Sequence, residues 1–496
     1  MNPLKQLAGQ TAIYGLGTIV PRLLNYLLVP MYTRLLLKEE YGMVTELYAY
    51  IAFFFVLLLY GMETTFFRYA EKEKDPDRVF STSLISIFFT SVTFFIVVWI
   101  FIEPISGMLH YQGYEDLILM SAGIVSIDAF TSIQYARLRQ QKKPLRFSLI
   151  RTITVAVNVG LNLYFIWICK EIYEKDPNSP WLIFYNPEYQ VRYVFLINVI
   201  ASSLSIFLLL PQLIKLKPVY DFQLLRKMLS YAFPLLIVGV TGMVNEVLDK
   251  IIFKYLAPVP AGIADKHTYI LGELGVYGAN YKLAVLMTLF IQMFRFAAEP
   301  FFFAQAKEEN AKQVYADVMK YFVIFGLLIF LGVTLFIDVF KYFIGPEHWE
   351  GLYIVPIVLL ANLFLGIFFN LSVWYKLTDL TRFGAVIAVI GSVITIFANL
   401  ILVPEMSYLG SAWGHLFCYL VMMIISYFWG RKHYPIQYDL KRIGIYAVLG
   451  FTIFGISRVF YPETEWIRIS FSAVLFIAFL TTAYLMERKN LFHQAG

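Results

Sequence analysis

The sequence predicts an all-α integral membrane protein of about fourteen transmembrane helices: two parallel-repeat six-helix lobes and two further C-terminal helices. Three observations predict it. The 496 residues are 59% hydrophobic and only 15% charged, against about 25% charged in soluble domains, and mean hydropathy is +0.67. Apolar segments near the roughly 20 residues a bilayer requires recur along the whole chain, with no polar stretch long enough for a soluble domain. Finally, the second half echoes the first.

The candidate spans are 11–35, 42–66, 80–102, 116–136, 146–168, 191–214, 228–256, 273–299, 316–340, 351–375, 382–403, 408–429, 441–461 and 466–486. Polar breaks separate them, among them EKEKDPDR after the second, QQKKP after the fourth and KDPNSP after the fifth. The echo aligns Leu28–Leu36 with Leu248–Leu256, which sets Asn25 on Asn245 and Arg34 on Lys254. It then sets Gly42 on Gly275, and Arg146-Phe147 on Arg382-Phe383. An even number of helices per unit gives both units one orientation, a parallel repeat about an axis along the membrane normal. The expected divisions are an N-terminal lobe at 1–218, a C-terminal lobe at 219–433, and two additional helices with a tail at 434–496.

Most basic residues flank one set of loops, including Arg68, Lys72, Lys74 and Arg78, then Arg137, Arg139, Lys142, Lys143 and Arg146. The positive-inside rule places both termini in the cytoplasm. The opening MNPLKQLAGQ lacks the charge pattern and cleavage site of a signal peptide. Cys169 and Cys418 lie far apart and define neither a disulfide framework nor a metal site.

Charges within the spans are the candidate functional residues, because each is expensive there. Arg22 follows Pro21 near the middle of the first span. Gly15, Thr18 and Asn25 share its helical face, so a cavity-facing cation for an anionic substrate is one reading and a structural ion pair the other. Lys282 and Arg295 lie in the eighth span as further candidates for an anionic head group, although Glu299 stands four residues from Arg295 and could pair with it. Asp128, Glu63 and Asp249 are candidates for pairing or ion coupling, and Glu246 and Lys250 form an i, i+4 pair. Arg151, nearer a helix end, is explained by snorkelling. The many tyrosines and phenylalanines belong to interfacial belts and lipid-facing surfaces, so none is given a site role.

Enzymatic chemistry finds little support. There is no Walker A motif, Gly15-Leu16-Gly17 lacks the rest of a nucleotide-binding fingerprint, and no cluster has metal-ligand spacing. The expectation is a protein that is not an enzyme and needs no cofactor or metal, with coupling to H+, Na+ or the membrane potential left open.

The run Arg22-Leu-Leu-Asn-Tyr-Leu-Leu-Val-Pro-Met-Tyr-Thr-Arg34, then Glu39-Glu40-Tyr41-Gly42, resembles the first-helix signature of bacterial polysaccharide-export flippases of the multidrug/oligosaccharidyl-lipid/polysaccharide (MOP) superfamily. Leu229-Ser-Tyr-Ala-Phe-Pro234 through Asp249-Lys250 is similar to that family's second-lobe opening. The resemblance implies a MATE/MurJ-like fold in the bacterial inner membrane. It also implies translocation of undecaprenyl-pyrophosphate-linked oligosaccharide, for O-antigen of lipopolysaccharide, capsule or related glycan, by alternating access. Arg22 would meet the pyrophosphate, since arginine's planar fork suits it. Implied partners are the lipid-linked oligosaccharide, membrane lipids, and the glycan polymerase and glycosyltransferases of the same pathway, with no nucleic acid. The alternatives are a cation-coupled multidrug exporter, a lipid II flippase or a membrane glycan polymerase. The first span holds no acid of the kind drug exporters use, which lowers the exporter reading.

Overall fold

The computed structural model describes residues 17, 19–214, 216, 218–306 and 308–493. The described chain is helical and contains no strand among those residues. Among the described residues, thirteen helices are long and apolar enough to cross a membrane, and they overlap the second to fourteenth expected spans. The first span lies partly outside the described residues. Its described part is helical at 19–26, turns at Leu27–Leu28, and resumes as α1, Val29–Leu35. The interruption therefore falls just ahead of Pro30. A proline is tolerated in a first helical turn, where its missing N–H would have no partner anyway.

The chain packs as two compact units, Met1–Tyr255 with Val259–Gly275, and Leu256–Pro258 with Val276–Gly496. The first contains α1, α2 (Lys38–Leu59), α3 (Met62–Lys72), α4 (Pro76–Ile100), α5 (Glu115–Gln140), α6 (Pro144–Asn162), α7 (Gln190–Ile214) and nearly all of α8 (Phe222–Leu256). Met62, Phe66, Val79, Phe80, Ile133 and Met228 form much of its core. Lipid chains are as apolar as leucine, so close packing of small residues has to supply helix association.

That packing is visible where α8 runs antiparallel along α2 and α3. Tyr69 Oη donates to Lys227 O at 3.1 Å. A side chain at Gly61 would strike Leu235 Cβ at 2.8 Å, and one at Gly239 would strike Val56 Cγ1 at 2.8 Å. At the far end Lys254 meets Glu46. Between α2 and α3, Tyr60 and Gly61 are both left-handed (φ 33° and 72°). This conformation is easy for glycine and costly for tyrosine, and it bends the span where it meets α8.

A second close crossing joins α2 to α9 (Lys266–Leu283). A Cβ at Gly42 would overlap the Leu271 carbonyl, and one at Gly275 would overlap the Lys38 carbonyl. Each glycine faces the residue four before the other, a local two-fold relation between the very positions that the internal repeat equates.

The expected eighth span, 273–299, is not one helix. Helix α9 ends at Leu283, and α10 runs Val285–Gln305. Tight i→i+3 bonds, Ala284 N to Tyr281 O at 3.2 Å and Met287 N to Ala284 O at 3.1 Å, make the break. Lys266, Glu273 and Lys282 keep α9 polar, so the apolar window begins only after the break.

The second unit contains α10, α11 (Ala311–Leu335), α12 (Val355–Leu371), α13 (Arg382–Met406), α14 (Tyr408–His433), α15 (Leu440–Val459) and α16 (Glu465–His493). Ala361, Phe368, Ile387, Leu416, Tyr419 and Met422 form one core, between α12, α13 and α14. Charge clusters pin α15 and α16 to α11 at both ends. At one end Glu487 meets Lys320 at 2.9 Å and Arg442 at 3.2 Å, and Tyr446 Oη donates to it at 2.9 Å. At the other, Asp338 meets Lys341 at 3.0 Å and Arg468 at 2.5 Å, and Tyr461 Oη donates to it at 3.1 Å. Burial would raise the Asp338 pKa, but the hydrogen bonds from Lys341, Arg468 and Tyr461 outweigh it and hold the carboxyl below its ordinary value.

Candidate functional site: an intramembrane charge cluster

Arg22 sits on the helical stretch before the Leu27–Leu28 turn, and its side chain is exposed. The opposite charge of Glu246 on α8 and the like charge of Arg151 on α6 both act on its guanidinium. Arg151 is itself exposed and lies 4.2 Å from the centroid of the Tyr135 ring. Its charge also acts on Asp128, whose carboxylate accepts from Ser202 Oγ at 2.8 Å. Beside these, Asn198 Nδ2 donates to Tyr48 Oη at 2.6 Å, and the Asp128 charge reaches that phenol. Four helical segments thus bring two guanidinium groups and two carboxylates into one electrostatic neighbourhood of the first unit. Such a group can hold itself neutral when empty and exchange its internal partners for a bound anion.

Sequence reasoning found Arg22 and Asp128 but explained Arg151 away, because snorkelling suffices for an arginine considered on its own helix. Its place became legible only once α6 was packed beside the first span. Glu246 and Lys250 also depart from expectation. Lys250 Nζ donates to the Glu246 backbone oxygen at 3.2 Å, and its ion pair is with Asp249 at 3.1 Å. Asp249 is fully buried, and a buried carboxylate demands a partner more strongly than an exposed one. The Glu246 charge acts on Arg22.

The remaining candidates fall elsewhere. Glu63 pairs with Arg139 and accepts from Ser132 Oγ at 3.2 Å. Asp249 pairs with Lys250, as described. Lys282 and Arg295 belong to the second unit, one before and one after the Ala284 break. Lys282 is exposed, and the Arg295 guanidinium carbon lies 4.1 Å from the centroid of the Phe369 ring, a cation–π distance. Among the described residues, no group of three or more histidine, cysteine, aspartate or glutamate side chains could hold a metal ion.

A second charge site, about two turns further along α8, carries no sequence signal beyond a lysine near a helix end. Lys254 and Glu46 form an ion pair buried within the first unit. Tyr111 Oη donates to Glu46 Oε2 at 2.9 Å, and Lys254 Nζ donates to Leu109 O at 3.2 Å. The His267 ring lies 6.0 Å from Tyr111 and 5.8 Å from His110. Burial first, then the charges of Lys254 and His110, hold the His267 pKa below its ordinary value, with Asp265 pulling the other way. The pair joins residues more than 200 positions apart, so no local spacing could reveal it.

The fold is similar to that of the lipid II flippase MurJ in its inward closed conformation. The TM-score is 0.73 at 15% identity, covering 97% of this chain and 100% of that one. It is also similar to the inward-facing conformation of a multidrug resistance MATE family transporter of the MOP superfamily, with TM-score 0.66 at 13% identity, covering 85% and 97%. A mutant of the Vibrio cholerae MATE transporter VcmN matches with TM-score 0.54 at 12% identity, covering 87% and 98%. A comparison with curated proteins finds no match. Residues 7–305, well over half of the chain, match the family described as polysaccharide biosynthesis protein, and this multi-pass membrane protein with a MurJ- and MATE-like fold belongs to that family.

Proposed function

We propose that the protein flips undecaprenyl-pyrophosphate-linked oligosaccharide from the cytoplasmic to the periplasmic leaflet of the bacterial inner membrane. The observation that supports this reading is the exposed Arg22, on which the charges of Glu246 and Arg151 act, with Arg151 acting in turn on Asp128. A pyrophosphate offers planar sets of oxygens that arginine forks can bind bidentately. On binding, it takes over the two guanidinium groups and releases the acids, so the site stays near neutral while the charged head group leaves water. The isoprenoid tail remains in the bilayer, and opening toward the other face returns the arginines to Glu246 and Asp128. Lys282 and Arg295 are assigned to the same head group at other stages of the cycle. A gradient of H+ or Na+, or the membrane potential, would act through the released acids, Asp128 foremost. The glycosyltransferases that build the glycan supply the substrate, and a polymerase consumes it.

The test is the leaflet on which lipid-linked glycan accumulates when the gene is deleted. Accumulation on the cytoplasmic leaflet is expected. Accumulation on the periplasmic leaflet would instead indicate a polymerase step. Dye efflux that depends on an ion gradient, with glycan export intact, would indicate a drug exporter. Arg22→Ala, expressed at the normal level, should export no glycan, and Arg22→Lys should restore little because a lysine lacks the planar fork. Full complementation by Arg22→Ala would end the assignment of that residue.

A further inference from the structure

Where α6 ends, the helix widens into a single π-helical turn, Leu163–Ile168, before resuming as Cys169–Lys175. Such turns are rare and recur at functional sites. The segment 176–189 then folds back over this end and leads into α7. It is held by Tyr164 Oη donating to Trp181 O at 2.7 Å, and by Tyr193 Oη accepting from Asn186 N at 2.6 Å. Between the π turn, the returning segment and the start of α7 lies a cavity of about 230 Å³.

Its wall is aromatic and ordered. Phe165 stacks on Tyr193 at 5.0 Å between centroids and 17° between planes, and Tyr193 stacks on Tyr185 at 5.8 Å and 5°. Tyr173 does not extend the stack. It stands tilted at 57° to Tyr185, 5.9 Å away, with 37% of its surface exposed. Lys170, Glu174 and Gln190 supply the polar part of the lining. Lys170 Nζ is fixed by donating to Leu35 O at 3.2 Å.

We propose that this cavity is a carbohydrate-binding subsite, which receives the sugar end of the glycan on the outer side of the membrane. Aromatic faces suit the C–H face of a pyranose ring, while an ammonium, a carboxylate and an amide offer donors and acceptors to its hydroxyl groups. The opposite charges of Lys170 and Glu174 favour a sugar over a bare anion. The mixed lining argues against an acyl chain, and the concave form with few convergent polar groups is that of a small-molecule pocket. The wall is braced before any ligand arrives, which lowers the cost of binding. The aromatic residues that composition assigns to interfacial belts are here a built platform.

The inference rests on the glycan-transport reading, and its test separates the two. Oligosaccharides are released by mild acid from the lipid-linked pool of the producing cells, which removes lipid and pyrophosphate. Their binding to the full-length protein in nanodiscs is followed by saturation-transfer NMR. Wild type should transfer saturation to sugar ring protons. Tyr173→Ala, at an exposed position, should weaken binding roughly five- to tenfold, the scale of one lost aromatic contact, and Gln190→Ala should also weaken it. Arg22→Ala should leave binding of these fragments unchanged. Thermal unfolding confirms that each variant is folded. No transfer to wild type, unchanged binding in both pocket variants, or loss through Arg22→Ala would each overturn the proposal. Binding that behaves as expected without any flipping of lipid-linked glycan would leave the pocket standing and remove the transport reading.

Discussion

Lys254 and Glu46 show what a single residue can carry in this protein. Both are buried, and Tyr111 Oη and Leu109 O take up further hydrogen-bonding capacity of the pair. Removing one partner strands the other, a loss of about 3–5 kcal/mol, whereas replacing both with apolar groups of similar volume is often neutral. Lys254→Met should therefore lower the unfolding temperature sharply in detergent, and Glu46→Leu combined with Lys254→Met should recover most of it. Strictly additive losses would show that the two side chains do not act as a pair. His267, close by, adds a dependence on pH. Its pKa is held below the ordinary value, so the unfolded chain binds more protons there than the folded one. Stability should then fall as pH drops below about 6.5, and His267→Gln should flatten that part of the curve when unfolding temperature is measured from pH 7.5 to about 5.5.

At the scale of elements, the decisive feature is how closely helix backbones approach. Gly42 on α2 and Gly275 on α9 occupy one crossing, each facing the other helix's carbonyl. Here the obstacle is backbone rather than the end of a flexible side chain, so the helices themselves must separate. Gly42→Val or Gly275→Val should cost roughly 1–3 kcal/mol or more, the usual range for overpacking. The double variant should cost less than the sum, because one separation serves both. Thermal unfolding of the three variants would check this, and simple additivity would contradict a shared crossing. The spans themselves were legible from hydropathy, since a helix is the one open-chain structure that satisfies its own backbone in lipid. Interruptions were not. The turn at Leu27–Leu28 and the break at Ala284 depend on local hydrogen bonding that apolar composition does not record.

At the scale of the whole molecule, α15 and α16 are held to the second unit by Glu487 at one end of α11 and by Asp338 at the other. Lys320 is buried against Glu487, so Glu487→Gln removes the carboxylate it shares with Arg442 and leaves its ammonium only Asp317, at 3.3 Å. The variant should loosen that end of the helix pair while Asp338 still holds the other. The expected result is faster proteolysis in the linker between α14 and α15, around Tyr434–Asp439, with the fold of the first unit retained. Unchanged cleavage would show that apolar packing alone holds these helices.

Hydropathy and composition were enough to establish a membrane protein and the positions of most of its spans, and the motifs of the first and seventh spans carried the family resemblance that the match over residues 7–305 bears out. They were enough because the bilayer imposes length and polarity on each helix separately, and each helix records that demand in its own residues. Which charge meets which was decided by packing. Arg151 acting on Arg22 and Lys254 against Glu46 join residues far apart in sequence, while Asp249 takes its chain neighbour Lys250 as partner because its carboxylate is buried. An ion pair between distant helices leaves no spacing to read, because the energy that selects it exists only once the helices have come together and excluded water.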